Sequence, residues 1–107
     1  MGDEMSVDKR LELHAILIAL ITPNKVYFQP PSSHNITYPC IIYKLDDIDI
    51  KYADSIKYKN KKRYLVTVID KNPDSEILNQ ILVLSYCDFD RSFSSDNLNH
   101  YVFTLYY

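Results

Sequence analysis

The sequence contains a single glycine, Gly2. This scarcity excludes a glycine-rich phosphate loop and a dinucleotide-binding fingerprint, because both need several glycines at fixed spacing. The turns must instead be built from Asn, Asp, Ser and Pro, which adopt turn geometry less freely than glycine. Long apolar runs are also missing. The longest run covers residues 15–21, well short of the ~20 residues that a membrane span requires, so we expect no contact with a membrane.

The chain has little excess charge and few cysteines. Twelve basic and 14 acidic residues give a net charge of −2, which argues against a nucleic-acid coat protein and a polybasic membrane anchor. The two cysteines, Cys40 and Cys87, have no metal-ligand spacing. We expect two buried, reduced thiols. A disulfide between them is the alternative, because both cysteines lie in strand-like runs that could be neighbours.

The composition is that of one globular domain spanning residues 1–107, with 47% apolar and 24% charged residues. The ten tyrosines have two interpretations. Tyrosine is enriched at protein interfaces, where its ring is buried and its hydroxyl stays hydrogen-bonded. It is also a common residue in β-strands.

Residues 6–21 have helical periodicity. Ser6 is a plausible N-cap and Pro23 stops the helix. One apolar face carries Leu13, Ile16, Leu17 and Leu20. A second stripe, Leu11, Ala15 and Ile18, lies on another side. A helix that is apolar on both sides is either central to its own core or shared with a neighbouring chain, and the small size of the domain favours sharing.

The middle of the chain combines loops and strands. Residues 22–37 indicate a loop that includes a short strand at 26–28, and residues 38–45 form a strand that starts near Pro39. Residues 46–62 are charged, with irregular apolar positions. We expect a long hairpin arm or an extended loop there.

The second half begins with the clearest strand, residues 63–70. Asn72 then caps a helix that has Pro73 at its first position. A strand at 84–93, a turn at 94–99 and a last strand at 100–107 follow. The order α-β-β-α-β-β, with room for one extra strand, predicts an α+β fold: a small antiparallel sheet flanked by two helices. The last strand is then held by hairpin pairing.

Catalytic and metal-binding patterns are weak. The closest group is Asp88, Asp90, Arg91, Asp96 and His100. We place Asp88 and Asp90 on one strand face and Arg91 on the other, without a nucleophile and base that converge. His14, His34 and His100 are widely spaced. We therefore expect no enzyme, no metal and no cofactor.

One basic segment stands out, residues 57–64, "KYKNKKRY". It contains Lys57, Lys59, Lys61, Lys62 and Arg63. A solvated hairpin turn explains it. The other interpretation is a basic loop that faces an acidic partner or passing DNA.

Three stretches, "YPCIIYKLDDID", "YADSIKYKNKKRYLVTVIDKNPDSEI" and "CDFDRSFSSDNLNHYVFTLYY", resemble small neck proteins of tailed bacteriophages, and most closely the tail terminator (tail completion) family. The similarity covers residues 38–107. It implies the same α+β fold in a structural virion protein, assembled in the cytoplasm of the host bacterium. In that family, six copies form a ring at the head–tail junction, which caps the tail tube and meets the head connector. DNA crosses the central channel without sequence-specific binding.

The resemblance transfers no functional side chain, because the family has no such motif. We expect the contacts to other subunits or partners to involve apolar and aromatic residues: Leu11, Ala15, Ile18, Tyr52, Tyr58, Tyr106 and Tyr107. Two alternatives stay open. One is another neck ring, such as a head-completion or stopper protein. The other is a small nucleic-acid-binding regulator that uses the basic segment.

Overall fold

The computed structural model describes residues 2–21, 25–30, 36–53, 56–84 and 86–107, with the backbone alone at 2–8, 49–53 and 56–61. Within these ranges the chain forms two helices and five strands. They are α1 (Gly2–Ile18), β1 (Val26–Phe28), β2 (Cys40–Ala53), β3 (Ile56–Asp70), α2 (Glu76–Leu82), β4 (Cys87–Ser95) and β5 (Leu98–Tyr106). The α+β class and the order of the elements are confirmed, with β1 as the extra strand.

The five strands form one sheet in the order β1-β2-β3-β5-β4. Neighbouring strands are antiparallel except β1 and β2, which pair in parallel with Val26 opposite Ile41. The sheet is therefore mixed, not purely antiparallel as predicted. The difference arises because the short β1 joins the edge of β2 in the same direction, and strand direction in a sheet is not specified by local residue patterns.

Both helices pack on the same face of this sheet. Tyr43, Val66 and Phe103 lie opposite one another on β2, β3 and β5 and are fully buried. The core that they share with the helices contains Leu13, Leu17, Ile21, Val26, Ile41, Tyr64, Val68, Ile77, Ile81 and Leu105. A smaller cluster of Cys40, Ile69 and Leu98 lies at one end of the other face.

Helix α1 begins and ends earlier than predicted, and Ser6 lies inside it instead of capping it. At its C-terminal end, Leu20 N donates to Leu17 O and Ile21 N to Ile18 O. These bonds span three residues instead of four, so a tighter turn replaces the last helical turn. Ile21 still reaches the core.

Helix α2 starts at Glu76, and Ser75 is its N-cap, so the prediction of Asn72 as the cap is wrong. The Asn72 side chain accepts from Asp74 N, and the Asp70 side chain accepts from Asn72 N, both at 3.0 Å. These local side-chain bonds hold the segment in a turn, which competes with helix formation.

The β4–β5 hairpin has a tighter turn than the predicted loop at 94–99. Only Asp96 and Asn97 separate the strands, with φ of 53° and 63°. Two positive φ values in a two-residue loop are typical of the turn whose twist suits a hairpin. In this glycine-poor chain, Asp and Asn occupy the left-handed region, which they tolerate better than most residues.

Pairing between β2 and β3 continues beyond the rest of the sheet. The β1–β2 pairing ends at Phe28 and Tyr43, and β5 stops pairing with β3 at Arg63, but β2 and β3 stay paired to Ala53 and Ile56. We call residues 46–53 and 56–62 the arm. It contributes to an elongated shape of 51 × 24 × 24 Å, and it confirms the hairpin interpretation of 46–62 over the extended loop.

Candidate interaction surfaces

The base of the arm is fixed by an ion-pair network. Arg63 Nε lies 2.8 Å from an Asp46 carboxylate oxygen, and Arg63 Nη2 lies 3.6 Å from Asp47. The register shifts between Leu45 and Asp47, so that two acidic residues oppose one arginine. Hydrogen bonds with Tyr106 and then Asp46 raise the pKa of Arg63. Arg63 is therefore held in place at the arm base.

The predicted basic loop is a strand. Lys57, Lys59, Lys61 and Lys62 all lie on β3, and the turn of the hairpin falls before them. The side chains of Lys57, Lys59 and Lys61, and those of Tyr52 and Tyr58, lie outside the described part of the chain. Strand geometry spreads these lysines along the arm instead of gathering them at its tip.

The second apolar stripe of α1 does not form one exposed surface. Leu11 is 52% exposed and Ala15 is also exposed, but Ile18 packs against the main core. The stripe therefore divides between an outward part, which is open to a partner, and Ile18, which helps to hold α1 on the sheet.

The C-terminal tyrosines are fixed within the chain. Tyr106 N donates to Tyr86 O at 2.9 Å, and Tyr107 N donates to Lys62 O at 3.0 Å. Lys9 Nζ lies 5.8 Å from the centre of the Tyr107 ring, a cation–π contact. The predicted hairpin with β4 is confirmed, and pairing of β5 with β3 on its other side holds the terminus as well.

A groove between α1 and the segment before β4 was not predicted. An apolar cavity of about 180 Å³ is lined by Leu13, Ile16, Leu84, Tyr86, Leu105 and Tyr107. A more polar depression of about 370 Å³ adjoins it and adds Lys9 and Tyr106. No sequence pattern brings these residues together, because they come from three elements that meet only in the folded domain.

Strand β4 is an exposed edge of the sheet. All of its residues after Cys87 are exposed, including Phe89 at 53% and Phe93 at 46%. The Phe93 ring stacks on His100 with centroids 4.6 Å apart. Among the described residues, β4 pairs only with β5, so its outer backbone groups have no strand partner there.

The acidic residues of β4 are arranged differently from the prediction. A bulge between Phe89 and Arg91 inserts Asp90, so Asp88 and Arg91 lie opposite Thr104 and Val102 and share one face. Asp90 pairs with Arg91 at 3.1 Å. The prediction that Arg91 lies on the face opposite Asp88 is wrong, because simple alternation does not hold across a bulge.

The two cysteines do not pair. Both are free, and β3 and β5 lie between the strands that carry them. Burial raises the pKa of each thiol to about 11. The open possibility of a disulfide is therefore removed, and both groups are poor nucleophiles at neutral pH.

Within the described ranges, no cluster of three or more His, Cys, Asp or Glu side chains is arranged to hold a metal ion. No helix of that part of the chain is both long and apolar enough to cross a membrane. His34 lies outside the described residues.

Comparison with known proteins gives no identification. No protein-family model matches this chain, and no curated protein matches it.

Proposed function

We propose that this chain is a structural virion protein of a tailed-phage neck, resembling a tail terminator that forms a ring on the tail tube and joins it to the head connector. The arm supports this role best. Its strands continue over a length that has no strand pairing with β1 or β5. Ordering the backbone of such an arm costs conformational entropy, and contact with another chain offsets such a cost.

The remaining surface also suits an assembly protein. Aromatic residues are enriched at interfaces, and several here are exposed: Tyr86 at 57%, Phe89 at 53% and Phe93 at 46%. A ring subunit needs two different, complementary surfaces. The arm and the β4 edge lie on different parts of the sheet and meet that requirement.

The test is a phage in which this gene is inactivated, with the lysate examined by negative-stain electron microscopy. Because a terminator stops tube growth, its loss gives overlong tails that are not joined to heads. A stopper or head-completion protein gives tails of normal length beside unjoined heads. Infectious, morphologically normal particles would refute both neck assignments. Complementation from a plasmid controls for effects on neighbouring genes.

A second candidate is a nucleic-acid-binding regulator, and the run of lysines on β3 favours it. This function requires binding that weakens steeply with salt, because phosphate contacts release counterions. Filter binding at low salt compares the wild type with the combined variant Lys61→Ala, Lys62→Ala, Arg63→Ala. Absence of DNA retention by the wild type would eliminate the regulator.

A further inference from the structure

Several strand edges lack a strand partner among the described residues, the outer sides of β1 and of β2 in the arm among them, and two further edges differ in charge. One is the outer side of β4, Cys87–Ser95, which offers roughly 30 Å of backbone at the usual rise per residue. The other is the outer side of β3 at 56–61, since β5 pairs from Arg63 and Tyr107 N bonds to Lys62 O. Unpaired strand edges are templates for pairing with another chain.

The two edges carry opposite charges. The arm segment 56–62 has Lys57, Lys59, Lys61 and Lys62 and no acidic residue. On β4, Asp88 and Asp90 are exposed, and the neighbouring Arg91 is engaged by Asp90. If two copies paired through the same edge, like charges would face each other. If the β3 edge of one copy paired with the β4 edge of another, lysines would face acidic residues.

We infer that the basic β3 edge in the arm of one copy pairs with the acidic β4 edge of the next copy, which continues the sheet from subunit to subunit. Backbone hydrogen bonds hold such an added strand, and the side-chain charges select it. The contact joins two different surfaces, so it is heterologous and generates a ring when the rotation closes. It deepens the proposed neck function by identifying a surface that adjoining copies share.

The outer edge of β2 in the arm is a competing acidic surface. It carries Asp46 and Asp47, but both already contact Arg63 within the same copy. On β4, Asp88 has no ion-pair partner among the described residues within 4 Å. The acids of β2 also lie beside the basic residues of their own β3, with Asp49 directly opposite Lys61, whereas β5, which adjoins β4, contains no lysine or arginine. The acidic charge of β4 is therefore the less neutralised within one copy, which favours β4 as the partner of the lysine strand.

The test measures self-association of the purified full chain by sedimentation equilibrium and native mass spectrometry. One variant combines Asp88→Lys with Asp90→Lys, and the other combines Lys57→Glu with Lys59→Glu. Lys57 and Lys59 lie opposite Tyr52 and Lys51, so the second variant creates no like-charge pair in the arm. We expect each variant alone to raise the dissociation constant by at least about tenfold, and their mixture to associate again. Asp74→Lys, an exposed acid away from both edges, is the matched control and leaves association unchanged.

Far-UV circular dichroism of each variant verifies that the fold is retained. A wild type that stays monomeric up to about 1 mM would overturn the inference. If neither the β4 variant nor the arm variant weakens association, the proposed contact is wrong, and the copies associate through other surfaces. Weakening by Asp47→Lys with Asp49→Lys, but not by the β4 variant, would assign the contact to β2 instead. Normal particles after gene inactivation would refute the neck function without affecting these results.

Discussion

His14 Nδ1 lies 2.7 Å from the hydroxyl oxygen of Tyr43, which joins α1 to the buried centre of β2. Arg10 Nη1 approaches the same oxygen at 3.4 Å, and its guanidinium lies 4.4 Å from the centre of the Phe28 ring. Since arginine can only donate, the hydroxyl accepts from Arg10, and it donates its own proton to Nδ1 of neutral His14 in the tautomer that carries its hydrogen on Nε2. Burial raises the pKa of Tyr43, which keeps this proton on the hydroxyl at neutral pH.

This arrangement predicts that the free energy of unfolding falls in mild acid. Burial and the Arg10 charge lower the pKa of His14 below 6.5. The unfolded chain therefore binds this proton more readily than the folded chain, and stability rises with pH between the lowered pKa and 6.5. The contribution is fully present above 6.5 and is lost as the pH falls through the folded pKa. Urea unfolding from about pH 7.5 to about pH 5 measures it.

Two variants assign this pH dependence to the contact. His14→Gln removes the titrating group, so its unfolding free energy depends less on pH than that of the wild type. Tyr43→Phe loses about 1 kcal/mol at neutral pH, because it deletes the central hydroxyl. His100→Gln serves as the control, since His100 lies on β5. A pH dependence that is unchanged in His14→Gln would contradict this explanation.

The hairpin turn at Asp96–Asn97 gives a second prediction. Asn97 has φ of 63°, so Asn97→Ala places a Cβ in an unfavourable conformation and costs about 1 kcal/mol. Asn97→Gly is neutral or stabilising, because glycine adopts this conformation without strain. Thermal unfolding of the two variants compares them directly. Equal stability of both would show that the turn does not require the left-handed conformation.

Ser75 occupies the N-cap position of α2, but we expect its side chain not to stabilise the helix. Its side chain makes no capping bond, and its buried Oγ has no hydrogen-bond partner among the described residues. A buried, unpaired hydroxyl is unfavourable. Ser75→Ala is therefore neutral or stabilises the protein by up to about 1 kcal/mol, whereas loss of a working cap costs about 1 kcal/mol. Chemical denaturation separates these outcomes.

The two thiols are expected to react slowly in the folded protein. Their pKa values of about 11 leave little thiolate at about pH 8, the form that reacts. We expect modification by a thiol reagent to be at least about a hundredfold slower than in denaturant, since two pKa units correspond to that factor. Fast labelling of Cys87→Ser would show that Cys40 is accessible, contrary to its burial. The same experiment on Cys40→Ser examines Cys87.

Sequence periodicity identified the elements that have strong local signals. The alternation at 63–70 and the apolar spacing around Leu13 and Leu17 each correspond to an observed strand or helix. The charged segment 46–62, with its irregular apolar positions, was consistent with either a long hairpin arm or an extended loop, and the structure shows the hairpin. The order of elements, and with it the α+β class, followed from these segments.

What the sequence did not reveal depends on tertiary contacts and local turn chemistry. The Asn72 and Asp70 side chains stabilise a turn where a helix cap was predicted. Because of the bulge at Asp90, Arg91 lies on the same face of β4 as Asp88 and not on the opposite face. The groove around Tyr86 and Tyr107 joins residues that are distant in sequence. None of these features has a periodic signature.

The most direct test of the proposed neck function is immunogold electron microscopy of phage particles obtained from the source of this chain, using an antibody raised against the purified protein. We expect gold at the junction of head and tail, with pre-immune serum as the control. Disrupted particles are labelled in parallel, so that a covered epitope is not mistaken for absence. Particles that carry no copies of this chain, intact or disrupted, would contradict the structural role and favour the nucleic-acid-binding regulator.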